Sequence, residues 1–359
     1  MNERVPDHQG LALVFLFVLG NSTIFGLGKR AGADIWLAYL LAIAIALPFI
    51  LMQMRWRMLM PGRNLWEGLG NLIGKWPARF VVLYYSFYAW RLASLVVTDL
   101  TRFIAAVSLE STPTSLMGLM LALLALWGVK AGVEALGRWS IVTVRFIIPL
   151  SLLMFLLILT EVNLRHFLPV LYHGFLPVVM GALELLDFPF LTTGLVFWVF
   201  DSFEEKESPK RIFLPGFLIA AVMLLFISSS VLAVIGAHKY SASYFPTFVA
   251  ISRIDIARFL SRLETSVGIL FVVGSFLKLS VCLLVASKGL AWGLGFTDYR
   301  FLVTPLALGT VAGSQWFTKD LMEIYFKATK MLHPYDLSIQ LVIPLILWVV
   351  AEVKHRGQR

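Results

Sequence analysis

The sequence predicts an all-α polytopic membrane protein of about ten transmembrane helices, built as a five-plus-five inverted-repeat transporter fold with helices one and six broken. Three observations carry this expectation. Of 359 residues, 59% are hydrophobic and 14% are charged, and the mean hydropathy is +0.84. A soluble domain has no use for so much apolar surface. The apolar residues gather into ten runs near 9–28, 34–54, 80–107, 114–129, 139–160, 178–200, 212–237, 266–290, 301–317 and 337–351, against the roughly 20 residues a helix needs to cross. Runs one and six, which open the two sets of five, are each interrupted, and paired interruptions point to a site at a repeat interface. The chain therefore reads as a single membrane domain, 1–359, with repeats at 9–160 and 178–351.

Span one holds the stretch on which the rest depends. Residues 20–28, Gly-Asn-Ser-Thr-Ile-Phe-Gly-Leu-Gly, place three glycines and three small polar residues in nine positions. Glycine admits backbone that other residues resist, and Asn, Ser and Thr side chains compete with the helical ladder. In hydrocarbon every freed N–H and C=O needs an internal partner, so a broken span survives where it lines a polar cavity. Two readings follow: exposed backbone that holds a small ligand, or a small-residue face for close helix packing.

Span three carries Arg91 near its middle, and Tyr84, Tyr88 and Arg91 share one helical face at i, i+4 and i+7. That face should look into a polar cavity. Asp99 and Arg102, three residues apart near the outer end, are expected to pair along the helix. In span five, Arg145 either snorkels to the interface or serves a proton-linked or ion-substituting role. Residues 164–179 repeat Leu-Pro-Val and read as an interfacial segment. In span six, Pro189 removes a helix donor within Asp187-Phe188-Pro189-Phe190, and Thr192 and Thr193 follow. Residues 244–263 read as an amphipathic surface helix that lies over an outward cavity or is merely structural. Span eight buries Lys278 about 12 and 10 residues from its ends, too deep to snorkel, so it should face inward to a partner.

Orientation follows from Lys and Arg. With a cytoplasmic N-terminus the inner loops hold 16 of these residues and the outer loops 10, so both termini are expected inside. The same loops account for most of the net charge of +9, which removes the case for nucleic-acid binding. The single cysteine, Cys282, lies in an apolar run, and the six histidines fall mostly at loops and ends. No metal-ligand cluster, nucleotide loop or catalytic triad is legible, so neither an enzyme nor a cofactor is expected.

The segment Asp255-Ile-Ala-Arg-Phe-Leu-Ser-Arg-Leu-Glu264, followed by Gly274-Ser-Phe-Leu-Lys278, resembles the spore-germination permease family. So do residues 168–182 with their two Leu-Pro-Val repeats, Asp187-Phe-Pro-Phe190, and residues 20–26. These permeases are B subunits of nutrient germinant receptors, related to amino acid/polyamine/organocation transporters. The resemblance implies a small-nutrient site between spans one, three, six and eight. It also implies a larger A subunit, a lipoprotein C subunit and a place in the spore inner membrane. In the family pattern Phe-Pro-Phe is often followed by Gly and an acidic residue. Leu191 and Thr192 stand here instead, so Asp187 takes the acidic role or the ligand differs.

The expected site therefore comprises Gly20, Asn21, Ser22, Thr23, Ile24 and Gly26 in span one, Tyr84, Tyr88 and Arg91 in span three, and Asp187, Phe188, Pro189 and Phe190 in span six. A ligand carboxylate should meet N–H groups at residues 22–24, at the start of a second half-helix. The ligand amine should meet carbonyls ending the first half, together with the Asp187 region. Arg91 should gate, anchor a carboxylate or pair with Asp187. Lys278 should reach carbonyls freed around Gly20 in place of a sodium ion, or carry a proton. Two functions share such a site: a receptor subunit that senses an amino acid or similar nutrient, and a proton-coupled amino-acid transporter.

Overall fold

A computed structural model describes residues 5–60, 65–200, 207–253, 264–317 and 333–357 of the 359. Among the described residues there is no strand. The helices are α1 (Asp7–Leu19), α2 (Ile35–Leu59), α3 (Leu65–Ile73), α4 (Lys75–Val107), α5 (Thr114–Lys130), α6 (Val133–Ile158) and α7 (Leu176–Leu185). After them come α8 (Ser208–Ala242), α9 (Pro246–Ile251), α10 (Glu264–Leu294), α11 (Arg300–Trp316), α12 (His333–Leu337) and α13 (Ile343–Gly357). Each of the ten predicted spans has a helical counterpart. Seven are long and apolar enough to cross a membrane. The others are α5 and α11, of 17 residues each, and α1 with its 3-10 continuation.

Helix ends run past the apolar runs. Span three begins at Lys75 and span five at Val133, where hydropathy placed them at 80 and 139. Lys and Arg end an apolar run, yet they are good helix formers and carry the ladder into the headgroup layer. The sequence reading also missed α3, a short amphipathic helix between spans two and three. It buries Leu65, Trp66, Leu69 and Leu72 against α4 and its neighbours. Lys354 near the C-terminus donates to Leu72 O at 2.5 Å, which puts the chain end beside α3.

Two sets of helices pack chiefly among themselves. Helices α1, α2, α7 and α8 form one, and α4, α5, α10 and α11 the other. Helix α10 is buried nearly all round, with Leu277, Leu279, Val281 and Leu283 at 0% exposure. That is the behaviour of an apolar helix at the centre of a bundle. Helix α6 lies at the edge and exposes Phe146, Leu152, Leu153 and Leu156. Such a row is a liability in water, and lipid is its natural solvent.

Both expected interruptions are present. Span one leaves α-helix at Leu19, makes a 3-10 turn over Gly20–Thr23, and then runs irregularly to a second 3-10 stretch, Lys29–Asp34. Gly28 joins them at φ 67°, a left-handed conformation that glycine takes without a Cβ penalty. Span six passes from α7 into a π turn over Leu186–Phe190, in which Phe188 is extended, and continues as 3-10 helix over Leu191–Trp198. The freed backbone is answered internally. Thr247 Oγ1 donates to Thr23 O at 2.6 Å, Tyr240 Oη to Leu27 O at 3.1 Å, and Thr192 Oγ1 to Pro189 O at 2.6 Å.

Candidate functional site

A cavity of about 340 Å³ lies between the two interrupted spans, α4 and the start of span ten. Its size suits a small ligand with room to spare. The mouth is at Lys29, Arg30, Met180, Glu184 and Tyr244. Arg30 and Glu184 form an ion pair of 2.9 Å across it, and Lys29 Nζ donates to Ser243 O at 2.6 Å. Deeper in, the lining includes Asn21, Phe25 and Gly26 from span one, Tyr88, Arg91 and Asp99 from α4, and Asp187, Phe188 and Thr192 from span six. Asp336 and Gln340 complete it from span ten.

Helix α4 aims its polar stripe at span ten. Arg91 forms an ion pair with Asp336 and lies over the rings of Tyr88 and Tyr335, at 5.6 Å and 5.2 Å. Two aromatic faces attract a guanidinium electrostatically in a poorly hydrated place. Gln340 donates to Tyr88 Oη at 2.5 Å, and Tyr85 Oη donates to Ile339 O at 2.7 Å. Tyr84 packs edge-on against Tyr335 and lies 3.3 Å from Ser338 Oγ.

The opposite wall centres on Asn21. Its Nδ2 donates to Asp99 Oδ2 at 3.1 Å, and its Oδ1 accepts from Lys278 Nζ at 3.1 Å. One carboxamide thus has a carboxylate on its donor side and an ammonium on its acceptor side. Lys278 is fully buried and lies over the rings of Phe188 at 4.0 Å and Phe17 at 5.1 Å. It therefore joins span eight to spans one and six.

Below the cavity the path closes on aromatic side chains. Trp198 packs against Tyr85 at 4.7 Å, Trp66 at 4.8 Å and Trp56 at 5.8 Å between ring centroids. Gln53 and Gln340 separate this cluster from the cavity floor, with Gln53 donating to Gln340 O at 3.5 Å.

Of the residues named from sequence, the cavity gathers Asn21, Gly26, Tyr88, Arg91, Asp187 and Phe188. Others sit elsewhere. Gly20 abuts Gly274, where a Cβ on Gly274 would stand 2.6 Å from Gly20 Cα, so Gly20 serves close helix packing. Residues 22–24 do not open a second half-helix: the 3-10 turn ends at Thr23 and irregular chain follows. The macrodipole argument for a carboxylate there has no helix to act through. Pro189 and Phe190 lie in the packed interior, Phe190 against Tyr39 and Phe217. Tyr84 belongs to the seam with span ten. Arg145 is exposed on the outer face of α6, away from the cavity, in keeping with the snorkelling alternative.

Three pairings also differ from expectation. Of the alternatives offered for Arg91, pairing with Asp187 is not what the structure shows: its ion partner is Asp336. Asp99 turns to Asn21 and not along the helix to Arg102. Lys278 meets the Asn21 side chain, not the main-chain carbonyls near Gly20. The proposed surface helix, 244–263, is described only as far as Arg253; within that stretch α9 covers Pro246–Ile251, and Tyr244 stands at the cavity mouth. Residues 255–263 of the germination-type motif lie outside the described residues.

Sequence reasoning missed Asp99, Asp336 and Gln340 as site residues. The signal for Asp99 was available. Extending the Tyr84, Tyr88, Arg91 stripe by two turns reaches Asp99, at i+11 from Tyr88 and about 20° from it around the helix. Asp336 is harder to see, because the apolar run that marks span ten starts at 337, and Gln340 is a lone uncharged amide inside that run.

A family model described as spore germination protein matches residues 4–319. The chain is 23% identical over 358 residues to spore germination protein KB of Bacillus subtilis (strain 168), covering 98% of this chain and 96% of that one. It is 22% identical over 362 residues to YfkT of the same organism, covering 98% and 97%. Among solved structures, a substrate-bound, outward-open sodium-coupled sialic acid symporter superposes with a TM-score of 0.68 at 11% identity, over 95% of this chain and 79% of that one. The nucleobase-cation-symport-1 family transporter Mhp1, closed on bromovinylhydantoin, superposes at 0.64 and 11%, over 94% and 78%. At such identities the structural likeness speaks for the fold.

Proposed function

This chain belongs to the spore germination protein family, the spore permeases, and from that premise we propose that it is the membrane subunit of a nutrient-germinant receptor. In this reading it binds a small nutrient such as an amino acid and triggers germination. It works with a larger A subunit and a lipoprotein C subunit in the spore inner membrane, with both termini cytoplasmic. The observation that carries the reading is the cavity between the broken spans, lined by the charges of Arg91, Asp336 and Asp99, the first two paired with each other and the third hydrogen-bonded to Asn21. Ionisable groups at membrane depth are costly and gather where a pathway or site needs them. The excess of Lys and Arg in the inner loops supports the orientation, as does the hydrogen bond from Lys354 to Leu72 O in α3, between spans two and three.

A second reading has its own support. The fold is that of transporters that carry solutes across the membrane, and the cavity is open at one end and closed at the other, as alternating access requires. A proton-coupled amino-acid transporter would use the same residues. The full chain in proteoliposomes separates the two. Saturable binding of an amino acid without sustained accumulation supports the receptor, and accumulation driven by a proton gradient supports the transporter. Spores carrying Gly26→Leu, which crowds the lining beside Lys29 and Pro246, should lose their nutrient response while the protein remains in the membrane. A normal response in those spores would remove the cavity from the mechanism.

A further inference from the structure

Asp99 is answered differently from the other acids whose ion pairs border the cavity. Asp336 is held by Arg91, and Glu184 by Arg30, each in direct contact with a cation. Asp99 Oδ2 accepts its hydrogen bond from the neutral carboxamide of Asn21. The cation that balances it, Lys278, stands on the far side of that carboxamide, fully buried and sandwiched toward the rings of Phe188 and Phe17. A carboxylate at this depth is stabilised best by a donor carrying positive charge in direct contact. Asp99 lines the cavity, and Oδ1 is left for an incoming donor.

We propose that Asp99 is the seat of a protonated amine, so that the cavity selects ligands carrying a primary ammonium group. The inference rests on the nutrient-binding reading above and adds the chemistry that the nutrient must show. An ammonium brings charge and directed N–H donors to Oδ1 while Asn21 keeps its place on Oδ2. Because the same carboxamide touches Lys278, a change in the charge of Asp99's surroundings is passed to span eight through one side chain. Asn21 is then a positioning residue: it holds the carboxylate toward the cavity and links the seat to the scaffold.

The test uses the full chain in lipid nanodiscs and measures the affinity of the standard amino acids and of their N-acetyl derivatives. The derivatives keep the carboxylate and side chain and lose the charge on nitrogen. A further arm uses the corresponding decarboxylated amines, and another uses sodium or potassium chloride alone. An amino acid that binds should bind about ten- to a hundredfold more weakly when N-acetylated, the worth of one charge-assisted hydrogen bond. Its decarboxylated amine should retain measurable binding. Asp99→Asn should reproduce the loss and Asp99→Glu should recover part of it. Equal affinity for the N-acetyl derivative overturns the amine seat and leaves the nutrient reading standing, and this arm needs no variant to fold. Displacement of the amine by either salt alone, at matched ionic strength, overturns it in favour of an inorganic-cation site. Absence of binding by every compound removes the nutrient reading and this inference together.

Discussion

Arg91 is held from three sides: by the Asp336 carboxylate and by the rings of Tyr88 and Tyr335. Both charged side chains are largely buried, at 7% and 13% exposure. Removing one partner of a buried pair leaves an uncompensated charge, at a cost of about 3–5 kcal/mol, whereas removing both is far milder. Arg91→Leu and Asp336→Leu should therefore each lower thermal stability strongly, and the double variant should recover most of the loss. Equal or additive damage in the double variant would mean that the pair does not join α4 to span ten. Lys278 gives a second prediction at this scale. It fills the space between spans one, six and eight with a fixed cation, so ligand binding should not require sodium. Lys278→Met strips Asn21 Oδ1 of its donor, at about 1–3 kcal/mol for the stranded acceptor, and Lys278→Arg should be tolerated only in part because the guanidinium is planar. A clear sodium requirement in the wild-type chain, or unaltered behaviour of Lys278→Met, would end this account. The contact of Lys278 with span one was foreseeable from its depth in an apolar run. Its particular partner was not, since no pattern in span eight shows that Asn21 turns its carboxamide that way.

Among elements, the interruptions were the most legible features, because proline and clustered glycine act on the backbone locally. Pro189 and residues 20–28 break their helices whatever surrounds them. What each freed stretch does afterwards is decided by neighbours remote in sequence. Span one makes a 3-10 turn and an irregular stretch because Thr247 and Tyr240, from α9 and α8, satisfy its carbonyls. The sequence offered two readings of Gly20, ligand backbone and close packing, and the crossing with Gly274 selects the second. The consequence is measurable. A methyl group on Gly274 would stand 2.6 Å from Gly20 Cα, so Gly274→Ala should cost about 1–3 kcal/mol by overpacking. Thermal unfolding in detergent should report this loss with ligand affinity altered no more than stability predicts. Unchanged stability would show that the two helices can part freely.

At the scale of the molecule, span number and break positions were enough to anticipate the fold, while helix packing had to be seen. We propose that the two halves, 9–160 and 178–351, are inverted repeats. The packing supports this: exchanging each span for its counterpart five places on maps the main contacts onto one another. Spans one and seven pair as do six and two, and spans three and nine as do eight and four. Such an arrangement places the cavity on the boundary between two helix sets that can rock against each other. Access to it is one-sided. Arg30, Met180 and Tyr244 at the mouth are exposed, whereas at the other end Trp56, Trp66 and Tyr85 are buried and each packs on the buried ring of Trp198. Leu95 lines the cavity, and Leu195 is buried within the closure, between Gln53 and Gln340 at the cavity floor and the ring of Trp198. The native Cys282 is fully buried and should stay silent toward a charged, membrane-impermeant methanethiosulfonate. Leu95→Cys should react with that reagent from the outer side and be protected by bound ligand. Leu195→Cys should resist it from both sides until Trp198→Ala removes the ring on which the closure is built, and should then react from the cytoplasmic side. Reaction of Leu195→Cys from outside in an otherwise native chain would place the barrier elsewhere, and reaction of Leu95→Cys only from the cytoplasm would invert the assigned orientation.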